Sequence, residues 1–182
     1  MSMKPLRLTF QATTTECHSQ IQWDEDSFLL SVFFHYSNGK IEKSSLLEKL
    51  DQVFGIRQKE YRIALGELDI LLDAQKRITL IEIRTNPLLW KHEALRPVSS
   101  ISEAVFVNFL VNYDENYIAQ YDLPLQIIRD ISSQTLSFSF GDFVSSQWIS
   151  VSQEFLIGTT LDGFLSEFRI TGIKGGFLRR NL

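Results

Sequence analysis

Three charged residues in the middle of the chain have the types and spacing for metal-assisted chemistry. Asp69 ends a Gly-Glu-Leu-Asp sequence at 66–69, and Glu82 and Arg84 follow thirteen and fifteen residues later. If neighbouring strands carry them, the two carboxylates can meet on one face of a sheet, which Arg84 then shares because strand side chains alternate. Two carboxylates that bind a hard divalent cation, with a cationic side chain nearby, are the minimum apparatus for phosphodiester hydrolysis. The spacing permits this chemistry and does not require it.

The elements that must position these side chains are strands. Alternation of apolar and polar residues predicts strands at 61–65, 68–72 and 78–85, and the polar segment 74–77 connects the last two as a hairpin. The same patterning predicts further strands at 6–10, 28–36, 125–131, 135–140, 148–151 and 164–173.

Two helices are predicted beside these strands. Ser45 lies three residues before Glu48, the spacing of a capping box, and Gly55 suits the end of that helix. Between them the apolar residues 46, 47, 50, 53 and 54 follow helical spacing. Ser100 and Glu103 repeat the capping spacing before an apolar stripe at 105, 106, 109, 110 and 113. The β-branched content of the second stripe is also compatible with a strand.

The order of these elements predicts an α+β fold, in which a mixed β-sheet with two helices is extended by extra N- and C-terminal strands. The 182 residues show no internal repeat and no Gly/Ser or Pro tract that would mark a linker. A single domain over residues 1–182 is therefore expected.

The segment that contains Asp69, Glu82 and Arg84 resembles the PD-(D/E)xK nuclease superfamily, and within it the small bacterial YraN-like proteins. Their recurring segment, Gly-Glu-Ile/Leu-Asp followed by a short strand, a turn and hydrophobic-Glu-hydrophobic-Lys/Arg, is matched here without a gap. The resemblance implies a core of helix, three strands, helix and strand over 44–143, with β-rich extensions at 1–43 and 144–182. It further implies catalytic roles for all three residues, Mg²⁺ bound by Asp69 and Glu82, and Arg84 in the place of the family's lysine.

Three functions stay open at this point. A Mg²⁺-dependent phosphodiesterase would use Asp69 and Glu82, whereas an inactive relative would keep only the fold. Arg84 is a poor group for proton transfer, and Asp114 and Glu115 at the end of the second predicted helix would repel phosphates. The alternative is a non-catalytic β-rich module that binds a protein or an apolar ligand.

Aromatic residues bear on that alternative. The chain has 14 Phe, five Tyr and three Trp, which favours an aromatic core over a ligand pocket. Trp23, Trp90 and Trp148, if exposed, could instead form a patch that binds another protein.

Charge and cysteine content narrow the partners and the compartment. The net charge is −4, and residues 97–182 hold nine acidic against five basic residues, so nucleic acid could bind only through the N-terminal half. Cys17 is the single cysteine and the three histidines are scattered, which excludes a zinc site of ordinary ligand spacing. We found neither a secretory signal nor an apolar run long enough to span a membrane, so a soluble, cytoplasmic protein is expected. The oligomeric state stays open.

Overall fold

The computed structural model describes residues 5–37, 60–98, 101–102 and 105–173, and the structural statements below concern these residues. They form β-strands and one short 3₁₀ helix, η1 (Pro87–Leu89), and they contain no α-helix. The strands are, in chain order, β1 (Leu8–Ala12), β2 (Cys17–Asp24), β3 (Leu29–Tyr36), β4 (Tyr61–Leu65), β5 (Leu68–Leu72), β6 (Ile78–Arg84), β7 (Lys91–His92), β8 (Ile101–Ser102), β9 (Val105–Phe109), β10 (Ile118–Tyr121), β11 (Leu125–Asp130), β12 (Thr135–Phe140), β13 (Gln147–Ser152), β14 (Phe155–Thr159) and β15 (Leu165–Ile170).

The first large sheet carries the predicted functional residues. Its six strands are ordered β10-β4-β5-β6-β3-β2, and all neighbours are antiparallel except β10 and β4. Ile63, Ile70 and Ile81 lie opposite one another on β4, β5 and β6, and all three are fully buried. Because side chains alternate along a strand, the residues next to them face the other side of the sheet. That outer face is where the polar residues of β4, β5 and β6 lie.

The second large sheet has seven strands in the order β7-β11-β12-β15-β14-β13-β8. The short strands β7 and β8 form its opposite edges, and residues 93–98, which follow β7, cross strands that lie between those edges. The backbone oxygen of Arg96 in that crossing segment accepts a hydrogen bond from Arg169 on β15, and the Leu95 N–H donates to Asp130 at the end of β11. The segment Glu93–Val98 is called the strap below. Strands β1 and β9 form a separate two-stranded sheet.

Both large sheets contribute to one apolar core. The rings of Phe34 on β3 and Phe155 on β14 meet edge to face with centroids 5.0 Å apart, and Phe168 on β15 packs against Phe140 and Phe155. Each such aromatic side chain buries roughly 150–250 Å². The aromatic residues therefore build the core, as the sequence predicts, and join the two sheets.

The predicted α+β class is wrong, because the described residues are all-β. The second predicted helix falls on β9 and the loop after it. Val107 and Phe109 are buried and Asn108 between them is exposed, which is the period of a strand, and β9 pairs with β1 over five residue pairs. Leu8 lies opposite Phe109 in that pairing, so a distant strand decides the conformation of a segment whose local spacing also suited a helix.

The first predicted helix, at 45–54, lies outside the described residues. The resemblance implies a core of helix, three strands, helix and strand. The all-β architecture of the described residues contradicts this core. Strands of the expected extensions also pair directly with strands of the expected core, β3 with β6 and β15 with β12. The single-domain organisation over 1–182 stays a prediction. Among the described residues no helix has the length and apolarity needed to cross a membrane.

Candidate functional site

Strands β5 and β6 place Asp69 and Glu82 side by side. Asp69 lies directly opposite Glu82 in the antiparallel ladder, and Ser31 on β3 lies on the other side of Glu82. Both carboxylates are half-buried on the outer face of the six-stranded sheet. Residues directly opposite in such a ladder have Cβ atoms about 4.5–5.5 Å apart. The structure therefore brings the two predicted metal ligands together, while their roles stay predictions.

Asp69 is already engaged by an arginine that sequence reasoning did not single out. Arg62 on β4 donates from Nε to Asp69 Oδ1 at 2.8 Å and from Nη2 to Oδ2 at 2.7 Å. This two-pronged hydrogen bond, with smaller contributions from the charges of Asp69 and Glu82, raises the pKa of Arg62. The guanidinium geometry matches both carboxylate oxygens at once, which a lysine could not do.

An open depression of about 420 Å³ surrounds this pair. It is lined by Leu29, Arg62, Gly66, Glu67, Asp69, Glu82 and Arg84. Arg84 is exposed at the end of β6, and its N–H donates to the oxygen of Glu67 in the β4–β5 turn. Gly66 begins that turn with φ +64°, a conformation that glycine adopts without steric strain. The depression thus combines two arginines with three carboxylates on an open surface.

A divalent cation at this position would have to compete with Arg62 for Asp69. Mg²⁺ binds carboxylate and carbonyl oxygens, and each oxygen of Asp69 already accepts one hydrogen bond from the positively charged Arg62. In the described ranges no group of three or more His, Cys, Asp or Glu side chains is arranged to bind a metal.

Cys17 and His18, adjacent near the start of β2, face opposite sides of the strand. His18 is exposed, whereas the Cys17 thiol lies against Tyr36, and burial raises the pKa of Cys17 to about 11. A thiol with this pKa is almost entirely protonated at neutral pH and is a weak nucleophile. The geometry agrees with the sequence argument that these two residues do not act as a catalytic pair.

A second surface feature lies at the same end of the six-stranded sheet as the Gly66 turn. Phe28, Leu88 and Leu89 are 45%, 77% and 80% exposed, and we call them the apolar patch. Phe28 follows β2, and the two leucines form η1 after β6. The Thr85 N–H donates to the Phe28 oxygen at 2.9 Å, which holds the two segments together.

The backbone fixes this patch in place. Phe28 has φ +52°, a conformation that bulky side chains rarely adopt and that costs roughly 1–3 kcal/mol. Asn86 caps η1 by accepting the Leu88 N–H at 3.0 Å, and Pro87 supplies the fixed φ of its first residue. None of the residues predicted from the sequence to be functional lies in this patch, although the Pro-Leu-Leu sequence that follows β6 is recognisable.

The three tryptophans do not form the exposed patch considered from the sequence. Trp90 is buried and donates from its indole to Thr85 Oγ1, and its ring meets Trp23 edge to face at 6.0 Å. Trp148, on the other sheet, lies under the guanidinium of Arg169 at 4.3 Å. Trp23 also contacts the ring of Phe28 at 6.4 Å, so the tryptophans support the patch from behind.

No protein-family model matches this chain, and no curated protein is significantly similar to it. The resemblance to the PD-(D/E)xK superfamily therefore stays a prediction that rests on its short motif.

Proposed function

We propose that this chain is a non-catalytic protein-interaction module, and that the apolar patch of Phe28, Leu88 and Leu89 is its docking surface. The observation that supports this is that three large apolar side chains are exposed on two segments that the Thr85–Phe28 hydrogen bond joins. Burying them in a complex would gain about 25 cal/mol for each Å² of apolar surface removed from water.

The rigidity of the patch supports this proposal. A strained Phe28 and a capped η1 hold the side chains in a fixed arrangement before any partner binds. Preorganisation lowers the entropy that must be lost on association. The strain at Phe28 brings no visible gain in core packing, since its side chain is 45% exposed, and this favours a role in binding.

The charges around the patch specify the kind of partner. Asp24, Glu25 and Asp26 lie exposed in the turn that leads to Phe28, and Glu67 is exposed in the neighbouring turn, so acidic groups outnumber the exposed cations Arg84 and Lys91. Hydrogen bonds from Ser27 Oγ and the Asp26 N–H lower the pKa of Asp24 and keep it ionised. Such a surface attracts an apolar protein segment flanked by lysine or arginine, and it repels an anionic membrane.

Synthetic peptides test the proposal directly. The probe is a fluorescein-labelled 16-residue amphipathic peptide with leucines on one face and lysines at its flanks, measured by fluorescence polarisation. We expect it to bind the wild-type protein, and we expect the double variant Leu88→Ser/Leu89→Ser to bind at least tenfold more weakly. Phe28→Asn should weaken binding without unfolding the protein, because asparagine tolerates a positive φ.

Matched controls distinguish specific binding at the apolar patch from nonspecific binding of the peptide. Leu161→Ser removes an equally exposed leucine, 77% exposed, from the turn between β14 and β15 and should leave the affinity within twofold. A peptide with glutamates in place of the lysines should not bind. Equal loss of binding in Leu161→Ser, or binding to phosphatidylglycerol vesicles in preference to the peptide, would overturn the proposal.

Mg²⁺-dependent hydrolysis of phosphodiesters is the second candidate. The observation that favours it is the direct opposition of Asp69 and Glu82 in an open depression that also holds Arg62 and Arg84. Calorimetric titration with Mg²⁺ and Mn²⁺ tests it, since the reaction needs the wild-type protein to bind the metal. Absence of binding by the wild-type protein at millimolar metal rejects this candidate.

A further inference from the structure

Three of the five tyrosines, Tyr61, Tyr113 and Tyr117, gather at the opposite end of the six-stranded sheet. Tyr61 begins β4, and its ring lies 4.8 Å from that of Tyr113 and 5.4 Å from that of Tyr117. Tyr121, at the far end of β10, lies opposite Leu65 and is not part of this cluster. This cluster is remote from the apolar patch, which lies at the Gly66 end of the same strands. It needs an explanation of its own, because a docking surface at the other end does not use it.

The cluster already holds a cation. The Nζ of Lys76 lies 5.3 Å from the ring centroids of both Tyr61 and Tyr113, within the roughly 6 Å of a favourable cation–π contact. Within the described part of the chain this ammonium forms no ion pair and no hydrogen bond. Contact with the two aromatic rings is therefore its main interaction with the described protein.

The conformation of the β5–β6 turn places Lys76 beside the two rings. Lys76 has φ +62°, and its N–H donates to the Asp73 oxygen at 2.8 Å, so the turn fixes the start of the side chain. Tyr117 also has φ +62° in a turn that Asp114 stabilises by accepting the N–H groups of Asn116 and Ile118. Two strained turns thus converge on one aromatic cluster, a pattern that occurs more often at functional sites than in ordinary turns.

The chemistry of the cluster selects a particular kind of cation. The Tyr113 hydroxyl is buried without a hydrogen-bond partner among the described residues, so the site offers π faces and little oxygen coordination. A hard metal ion needs several oxygen ligands, and a primary ammonium, such as that of Lys76, has three N–H groups that the aromatic rings do not satisfy. An alkylated ammonium needs neither, and it loses less hydration when it enters an aromatic site.

Acidic residues lie next to the cluster in the sequence, which suits a cationic ligand. Glu60, Asp114 and Glu115 are exposed next to Tyr61 and Tyr113 in the sequence, so the rim of the cluster carries acidic groups. We propose that the rings of Tyr61 and Tyr113, with Tyr117 packed edge to face against Tyr61, form an aromatic cage for a quaternary ammonium group, and that Lys76 occupies the Tyr61 and Tyr113 faces in the free protein. The ligand must displace the Lys76 ammonium in order to bind. This site is independent of the proposed docking surface.

Nuclear magnetic resonance titrations test the cage with tetramethylammonium chloride as the probe. The Tyr61 and Tyr113 ring resonances of the wild-type protein should shift. Lys76→Met, which keeps the length of the side chain and removes its charge, should tighten binding at least fivefold because the competing cation is gone. The matched control Lys91→Met removes an exposed lysine from β7 and should leave the affinity unchanged.

Two tyrosine variants separate the cage from general structural effects. Tyr61→Leu should abolish the shifts, whereas Tyr113→Phe should retain them, since it keeps the ring and removes only an unpartnered hydroxyl. Tyr113→Phe should also fold at least as stably as the wild type. This keeps the test informative if Tyr61→Leu fails to fold.

Two further ligands identify the source of the cation. Choline represents small molecules, and a peptide with one trimethyl-lysine represents a methylated protein segment; the same peptide unmethylated is the reference. The proposal is supported if choline or the trimethyl-lysine peptide binds at least fivefold more tightly than the unmethylated peptide. Whichever of the two does so shows whether the ligand is a small molecule or a methylated protein segment. If folded Lys76→Met binds neither ligand nor tetramethylammonium, the cluster is purely structural and the proposal fails.

Discussion

Both carboxylate oxygens of Asp69 accept hydrogen bonds from the single guanidinium group of Arg62. Charge alone would let Asp69 and Glu82 share a cation, but the arginine already supplies the positive charge at that position. Replacing it with a metal would require breaking two short hydrogen bonds and then dehydrating the ion, which Mg²⁺ resists. Arg62 therefore offsets part of the repulsion between the neighbouring carboxylates of Asp69 and Glu82 on the outer face of the six-stranded sheet.

The first prediction concerns Arg62→Ala. Without its arginine, Asp69 faces Glu82 with no compensating charge, so we expect Mn²⁺ to bind at least tenfold more tightly than to the wild type, measured by calorimetry. The double variant Arg62→Ala/Asp69→Asn should lose that gain. Because the Arg62 and Asp69 side chains are 48% and 27% exposed, the free energy of unfolding should fall by only about 0.5–1 kcal/mol. Equal metal affinity in Arg62→Ala and wild type would show that the arginine does not block the site.

The second prediction concerns the reactivity of Cys17. Burial raises its pKa to about 11, so alkylation by iodoacetamide at pH 8.5 should be about 100-fold slower than for the same thiol in the chain unfolded by urea. The rate should climb as the pH rises toward 11, because only the thiolate reacts. Mass spectrometry of timed samples gives both rates. Folded and unfolded rates within threefold of each other would contradict the burial of this thiol.

Local alternation was sufficient to predict the strands around the candidate site. The predicted ranges 61–65 and 68–72 coincide with β4 and β5, and 78–85 exceeds β6 by one residue. These strands are consecutive and antiparallel, so each pairs with a neighbour in sequence. By contrast, β9 pairs with β1 almost a hundred residues away, and no local pattern in 105–113 carries that information.

The Arg62–Asp69 pair was predictable in principle. A two-residue turn at 66–67 places Leu65 opposite Leu68, and the register then sets Ala64 opposite Asp69. Arg62 lies two residues before Ala64, on the same face and diagonal to Asp69, within the reach of a long side chain. The apolar patch and the tyrosine cluster could not be found this way, because each combines segments whose proximity depends on the whole sheet.

The third prediction concerns Gly158 on β14. A Cβ atom at this position would lie 2.5 Å from Ser145 Oγ and 3.1 Å from the indole of Trp148, both nearer than atoms in contact normally approach. Gly158→Ala should therefore lower the free energy of unfolding by about 1–3 kcal/mol in urea denaturation.

Gly66 provides the comparison for Gly158. A Cβ at Gly66 would meet nothing within 4 Å, and only the φ of +64° opposes a side chain there. Gly66→Asn should consequently be better tolerated than Gly66→Ala, since asparagine populates this conformation more readily. At Gly158 asparagine should be worse than alanine. The same ranking of the two variants at both glycines would contradict a steric origin at Gly158.

The fourth prediction concerns Asp130, which contacts the strap and makes the free energy of unfolding depend on pH. Asp130 is buried and accepts hydrogen bonds from Ser132 Oγ at 2.6 Å and from the N–H groups of Leu95, Ser132 and Ser133. These bonds, the one from the Ser132 hydroxyl foremost, hold the pKa of Asp130 well below its usual value. The ionised Asp130 therefore stabilises the folded protein. Its contribution to the free energy of unfolding is complete above the pKa of about 3.9 that an aspartate has in the unfolded chain, and it is lost as the pH falls toward the lower pKa of Asp130 in the folded protein.

Asp130→Asn isolates this effect, because the amide keeps the shape of the side chain but cannot titrate. We expect it to lower the free energy of unfolding by about 1–3 kcal/mol at pH 7, and the difference from wild type should shrink steadily between pH 4 and pH 2. The exposed Asp142→Asn serves as the control and should show no such convergence. Hydrogen exchange at the Leu95 amide locates the change, since protonation of Asp130 weakens the bond that ties the strap to β11. If the free energies of unfolding of the wild type and Asp130→Asn differ by the same amount from pH 7 to pH 2, the charge of this carboxylate does not anchor the strap.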